Sequence, residues 1–128
     1  MNAANMLKVR VAAEMVVSGR SVVAAITAGP VFHVKDRDLS DAPEGAVLAV
    51  PESFDGEFAD ETEKIAGIID AHEGITSYAA ILARELGIPM VSDASLPNDI
   101  ENGDTLTLDA ERGVVYEESI AREQLDER

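Results

Sequence analysis

The stretch from Thr76 to Pro89 constrains the fold more than any other part of the chain, because it specifies both ends of one helix. Ala79, Leu82, Ala83 and Leu86 recur at helical spacing behind Thr76-Ser77, a hydroxyl pair able to cap the first turn. Gly87 suits the left-handed position past the last turn, Ile88 can supply the hydrophobic contact of a Schellman motif, and Pro89 blocks continuation. The segments on either side of this helix read as strands.

Ala46 to Pro51 is a continuous apolar run of the fully buried sort, and Ile65 to Ile69 is apolar as well. Met90 and Val91 follow the helix as a short buried strand. Thr105 to Leu108 alternates, Asp109 to Gly113 is a turn, and Val114 to Tyr116 returns as its partner. Ser21 to Ile26 and Pro30 to Val34 are expected to form a hairpin-like pair around Gly29. Asp36 to Gly45 reads as a polar loop, and Phe54 to Lys64 as a polar stretch with helical tendency. Leu7 to Val17 suits a strand or short helix, and Ser18-Gly19 separates it from the rest of the chain. Strands, one capped helix and a closing hairpin argue for an α/β domain with two sheet layers and a helical layer.

At 128 residues and 46% hydrophobic content the chain is one domain's worth of core, without cysteine to staple it. The absence of cysteine removes disulfides and thiolate metal sites, and two histidines are too few for a histidine-built metal centre. Twenty-five acidic residues against ten basic give a net charge of −15, a field that repels nucleic acid and anionic lipid. The acidic runs interleave with apolar segments, so they read as a charged surface; with only three lysines, the pattern suggests a salt-adapted cytoplasm. No basic-then-apolar leader and no membrane-length apolar run is present, which predicts a soluble protein.

The chemistry is expected in the loop Asp70 to Ser77, which delivers the chain from a buried strand to a helix N-terminus. Free backbone N–H groups and the macrodipole there favour an anion, with Gly74, Thr76, Ser77 and Tyr78 as candidate contacts. The plainer reading is a strand-to-helix connection with Thr76 and Ser77 as caps and Tyr78 as a packing or interface aromatic. His72 lies in the middle of this loop, away from the helix dipole; His33 falls in a strand as a packing or surface residue; Arg84 lies on a solvated helix face.

Glu73 to Pro89 resembles the signature of the phosphoenolpyruvate-utilising enzyme mobile domain, whose pattern reads Gly-Gly-x-Thr-Ser-His-Ala-Ala-Ile-x-Ala-Arg-Glu-Leu-Gly-Ile-Pro. Asn102-Gly103-Asp104 to Asp109 and Gly113 to Tyr116 resemble the family's closing hairpin, and Gly19 to Pro51 extends the match more weakly, so the likeness covers about three quarters of the chain. It implies one swivelling three-layer β/β/α domain over residues 19 to 117. In the family the histidine accepts phosphate and the domain swings it between active sites. That position is Tyr78 here, and Glu73 replaces the first glycine. An imidazole forms a phosphoramidate that passes its phosphoryl group on, whereas a phenol of reference pKa about 10 lacks that return step. The departure implies that carrier chemistry is lost and no residue of this chain is catalytic, while a phosphorylated small-molecule effector remains a ligand of the expected kind.

Asn5 to Val11 resembles the last core strand of pyruvate kinase, and some pyruvate kinases carry an extra C-terminal domain of the mobile type after such a strand. The resemblance divides the chain into 1–18, the end of a preceding domain or a linker, and 19–128, a mobile-type domain with an acidic tail. It implies a parent that transfers phosphate from phosphoenolpyruvate to ADP with Mg and K, as a homotetramer. The kinase core would be the partner in cis, no cofactor would sit in these residues, and the tail would be structural or regulatory. A phosphohistidine carrier of a phosphoenolpyruvate synthase or dikinase, and a free-standing small-anion-binding module, are the competing readings.

Overall fold

The computed structural model describes residues 13–118 and shows a mixed β-sheet with one helix, mostly β with a little α. Its strands are β1 Ala13–Ser18, β2 Arg20–Val23, β3 Ile26–His33, β4 Ala46–Val50, β5 Ile65–Asp70, β6 Met90–Ser92, β7 Thr105–Asp109 and β8 Val114–Glu118. The helix, α1, spans Tyr78–Leu86 between β5 and β6. The strand order is β1-β8-β7-β3-β4-β5-β6-β2. β3 to β6 run parallel to one another, and β7 and β8 form the antiparallel hairpin expected at Asp109 to Gly113.

The helix ends are those the sequence specifies. Ser77 is the N-cap, its Oγ accepting the Ala80 N–H at 3.1 Å. Gly87 takes φ 72°, and the Ile88 N–H reaches back to the Ala83 carbonyl at 2.9 Å with Ile88 buried, which completes the Schellman arrangement.

Side chains alternate along the central strands and fill two apolar clusters. Ala46, Leu48 and Val50 of β4, Ile68 of β5 and Met90 of β6 pack with Ala79, Ala80 and Ala83 of α1. Val47 and Ala49 of β4, Ile69 of β5 and Val91 of β6 pack instead with Leu106, Leu108 and Val115 of the hairpin. Burial on both faces explains why these strands read as unbroken apolar runs.

Three expectations are corrected. Ser21–Ile26 and Pro30–Val34 are not a hairpin: β2 pairs with β6, and β3 runs straight through Gly29. A Cβ at Gly29 would stand 2.1 Å from the Gly45 carbonyl oxygen, so the glycine serves close backbone approach and not a turn. Pro30 is the last rung against β7, and from Val31 onward β3 pairs with β4, so the residue without an N–H stands where the strand changes partners. Ala13–Ser18 is not set apart from the rest of the chain, because it pairs antiparallel with β8. Phe54 to Lys64 holds only a 3-10 turn at Thr62–Lys64. Its helical tendency loses to tertiary ties: Phe58 is buried in the core, Ala59 N–H donates to the Arg37 carbonyl, and Lys64 Nζ donates to the carbonyls of Leu39, Ser40 and Ala42. The stretch Asn5 to Val11 and most of the acidic tail lie outside the described residues.

Candidate functional site

β5 ends in Asp70, the one acidic residue of that strand, and its side chain is fully buried beneath the loop that leads to α1. Burial of a carboxyl group is tolerated only when its oxygens are satisfied. Here Oδ1 accepts the His72 backbone N–H at 3.0 Å and lies 2.7 Å from His72 Nδ1, while Oδ2 accepts the Ser77 hydroxyl at 2.7 Å. The Ser77 hydroxyl therefore does two jobs, capping α1 through Ala80 and anchoring the loop to Asp70.

A second carboxyl group closes the other side. Asp93, at φ 58°, receives the Gly74 N–H on both oxygens at 3.3 Å, the Ser92 hydroxyl at 3.0 Å, and an ion pair from Arg20 Nε at 3.3 Å. Gly74 itself sits at φ 85°, a conformation that suits glycine. The loop backbone is pinned further by Asp93 N–H to the His72 carbonyl and Ala94 N–H to the Asp70 carbonyl, each at 3.0 Å.

Tyr78, the first residue of α1, is half-buried. Its ring meets Phe58 edge-on with centroids 5.6 Å apart, and Phe58 stacks on Phe54 at the same separation. The three rings, with His72, Ser77 and Asp55, border a cavity of about 200 Å3. Glu73, Ile75 and Thr76 face solvent. The structure thus brings Ser77 and Tyr78 together with His72 at one cavity, ties Gly74 to Asp93, and places Thr76 on the outer surface.

His33 lies elsewhere, at the end of β3, with Nε2 2.8 Å from the Ile100 carbonyl oxygen; Arg84 is exposed on α1. Among the described residues no group of three or more His, Cys, Asp or Glu could hold a metal ion, and no helix is long and apolar enough to cross a membrane. Sequence reasoning missed Asp70, Asp93 and the Phe54–Phe58 pair. An acid closing an apolar strand was a usable signal for Asp70; Asp93 carried none, since its partner Gly74 is 19 residues away.

Chemically, the arrangement is a hydroxyl-capped helix start in which two loop donors, the Ser77 hydroxyl and the Gly74 N–H, already have internal carboxyl acceptors. An anion arriving there would compete with Asp70 for Ser77 and with Asp93 for Gly74.

Comparison with known proteins accords with this geometry. A pyruvate kinase of Sporosarcina psychrophila is 31% identical over 115 residues, covering 88% of this chain and 20% of its own length. A phosphoenolpyruvate synthase of Deinococcus radiodurans is 33% identical over 107 residues, covering 80% of this chain and 14% of its own. The chain thus spans about a fifth or less of the curated relatives it matches. Among solved structures, aconitase X of Thermococcus kodakaraensis superposes with a TM-score of 0.55 at 19% identity, over 80% of this chain and 98% of that one, a likeness of fold alone. The family model for the PEP-utilising enzyme mobile domain matches residues 42–113, more than half of the chain and the whole of the Asp70–Ser77 loop with its helix, and the chain belongs to that family.

Proposed function

We propose that the chain is the extra C-terminal, mobile-type domain of a cytoplasmic pyruvate kinase, a three-layer β/β/α swivelling domain that has given up phosphate carriage for a structural or regulatory role. The observation that carries the reading is Tyr78: at the position of the phosphate-accepting histidine stands a phenol whose ring is packed against Phe58. The neighbouring donors support it, since Ser77 and Gly74 already bond to Asp70 and Asp93. The layer arrangement is supported by the two apolar clusters on opposite faces of the central strands.

A pyruvate kinase parent is supported by the likeness to the Sporosarcina psychrophila enzyme, which reaches over 88% of this chain. On this reading the parent moves phosphate from phosphoenolpyruvate to ADP with Mg and K as a homotetramer, and the groups that hold those cations belong to its core. The test is the intact mass and upstream sequence of the native polypeptide that contains Thr76-Ser77-Tyr78. A pyruvate kinase barrel upstream is the expected result. A nucleotide-binding domain of the synthase type beside this segment, or no further chain at all, overturns the assignment.

A further inference from the structure

The cavity beside the helix start has a composition that the proposed parent does not explain. The chain has three phenylalanines, two tyrosines and no tryptophan, and three of those five rings, Phe54, Phe58 and Tyr78, border this one space of about 200 Å3. Asp55 adds a carboxylate at its rim, and neither lysine nor arginine lines it. Arg37, on the neighbouring loop, is turned to the Glu57 carbonyl, which its Nε reaches at 3.2 Å.

Aromatic faces carry negative potential and attract cations that shed water easily. A net charge of −15 raises the local concentration of cations and lowers that of anions. Two of the donors that would greet an anion are already engaged, since Ser77 donates to Asp70 and Gly74 to Asp93. A hard metal ion is poorly served too, because Asp55 is the one carboxylate among the lining residues.

We infer that this pocket is a binding site for a small quaternary ammonium cation, held by the rings of Phe54, Phe58 and Tyr78 and by the charge of Asp55. The site stands on the substitution that removed the carrier histidine, because Tyr78 supplies one of its walls. It goes beyond the assignment of the parent, since a titration of this chain alone reads it whatever the parent proves to be.

The experiment is an amide NMR titration of the full chain in which tetramethylammonium chloride replaces sodium chloride at constant ionic strength. The expected result is saturable shifts centred on residues 54–58 and 77–79. Tyr78→Phe keeps the ring and binds as the unsubstituted chain does, whereas Tyr78→Leu and Phe54→Leu weaken binding roughly five- to tenfold, the range expected for loss of one partly desolvated ring. Should either leucine variant fail to fold, Asp55→Asn at the exposed rim decides, with an expected loss of about threefold from one screened charge. Shifts that rise linearly without saturation, binding left unchanged by the variants, or saturable binding of inorganic phosphate at the same amides would each overturn the inference.

Discussion

Replacing Asp70 by alanine removes the acceptor around which the site loop is built, and its cost can be worked from the contacts. Three hydrogen bonds end on that carboxyl group: the His72 N–H, His72 Nδ1 and the Ser77 hydroxyl. At about 1 kcal/mol net for each, Asp70→Ala costs about 3 kcal/mol. The His72 side chain is 24% exposed, so water recovers part of what is lost, and the net figure applies rather than the full penalty for buried orphan donors. Ser77→Ala removes one of the same three bonds and also the cap on Ala80, for about 2 kcal/mol. The shared bond can be lost only once, so the double variant should cost about 4 kcal/mol, a coupling of about 1 kcal/mol. With an unfolding entropy of about 2.1 cal/mol/K per residue over 128 residues, Asp70→Ala lowers Tm by roughly 11 °C. Urea unfolding followed by far-UV circular dichroism measures all three variants. A cost below about 1 kcal/mol for Asp70→Ala, or additivity within about 0.3 kcal/mol, would refute the account of the loop.

Gly29→Ala places a methyl group 2.1 Å from the Gly45 carbonyl oxygen, so β3 and the loop before β4 must separate; a loss of at least about 3 kcal/mol is expected in the same urea assay. Burial alone would raise the Asp109 carboxyl, but the hydrogen bonds from Arg112 outweigh it and hold the group below the usual range. A lowered carboxyl stabilises the fold above its unfolded value of about 3.9 and stops doing so as pH falls through its folded value. Arg112→Gln should therefore be less stable than the unsubstituted chain at pH 7, with the gap closing below about pH 4 in thermal melts. Burial, reinforced by Asp104, Asp99 and Glu14, raises the Glu117 carboxyl, and Glu14 lies directly across the β1–β8 ladder from it. Glu117→Gln should then gain about 0.5 kcal/mol at pH 7. That gain should fade as pH falls through the raised value toward the unfolded one, and shrink in high salt. Tyr78→His alone should acquire no label from radioactive phosphoenolpyruvate, because Glu73 still stands in the loop and Gly74 and Ser77 remain bonded to Asp93 and Asp70; labelled protein would count against that view.

What could be read in advance was whatever residues close in sequence decide. The helix was legible because Ser77, Gly87, Ile88 and Pro89 act on their own neighbours, and the closing hairpin because its turn lies between its strands. β4 was legible because burial on both faces leaves an unbroken apolar run. The failures involve distant partners. Gly29 looked like a turn because the carbonyl that demands a glycine there belongs to Gly45, which no local pattern reveals. The pairing of β1 with β8 joins opposite ends of the described chain. In the site, Ser77 was found as a cap, while the acceptor seven residues earlier that gives its hydroxyl a second role was not.

On the proposed reading, in which Tyr78 stands at the phosphate-accepting position, the phenol and the internally bonded loop support one another. A loop that receives phosphate must leave donors open when empty, at a cost in unsatisfied groups that the ligand removes on binding. Here that cost is removed internally: Asp70 takes Ser77 and His72, and Asp93 takes Gly74 while pairing with Arg20. If the chain carries no phosphate, as proposed, the first helical residue need not reach a reacting group and can serve packing instead. Tyr78 does so, turning its ring against Phe58 and joining the partly buried side chains over the helix-side core. Restoring an imidazole would recover a nucleophile but not its receptor. On that reading, recovering both would require changes at Tyr78, at Glu73 and at the carboxyl groups that bond the loop, and each of the latter would withdraw stability from the same few residues.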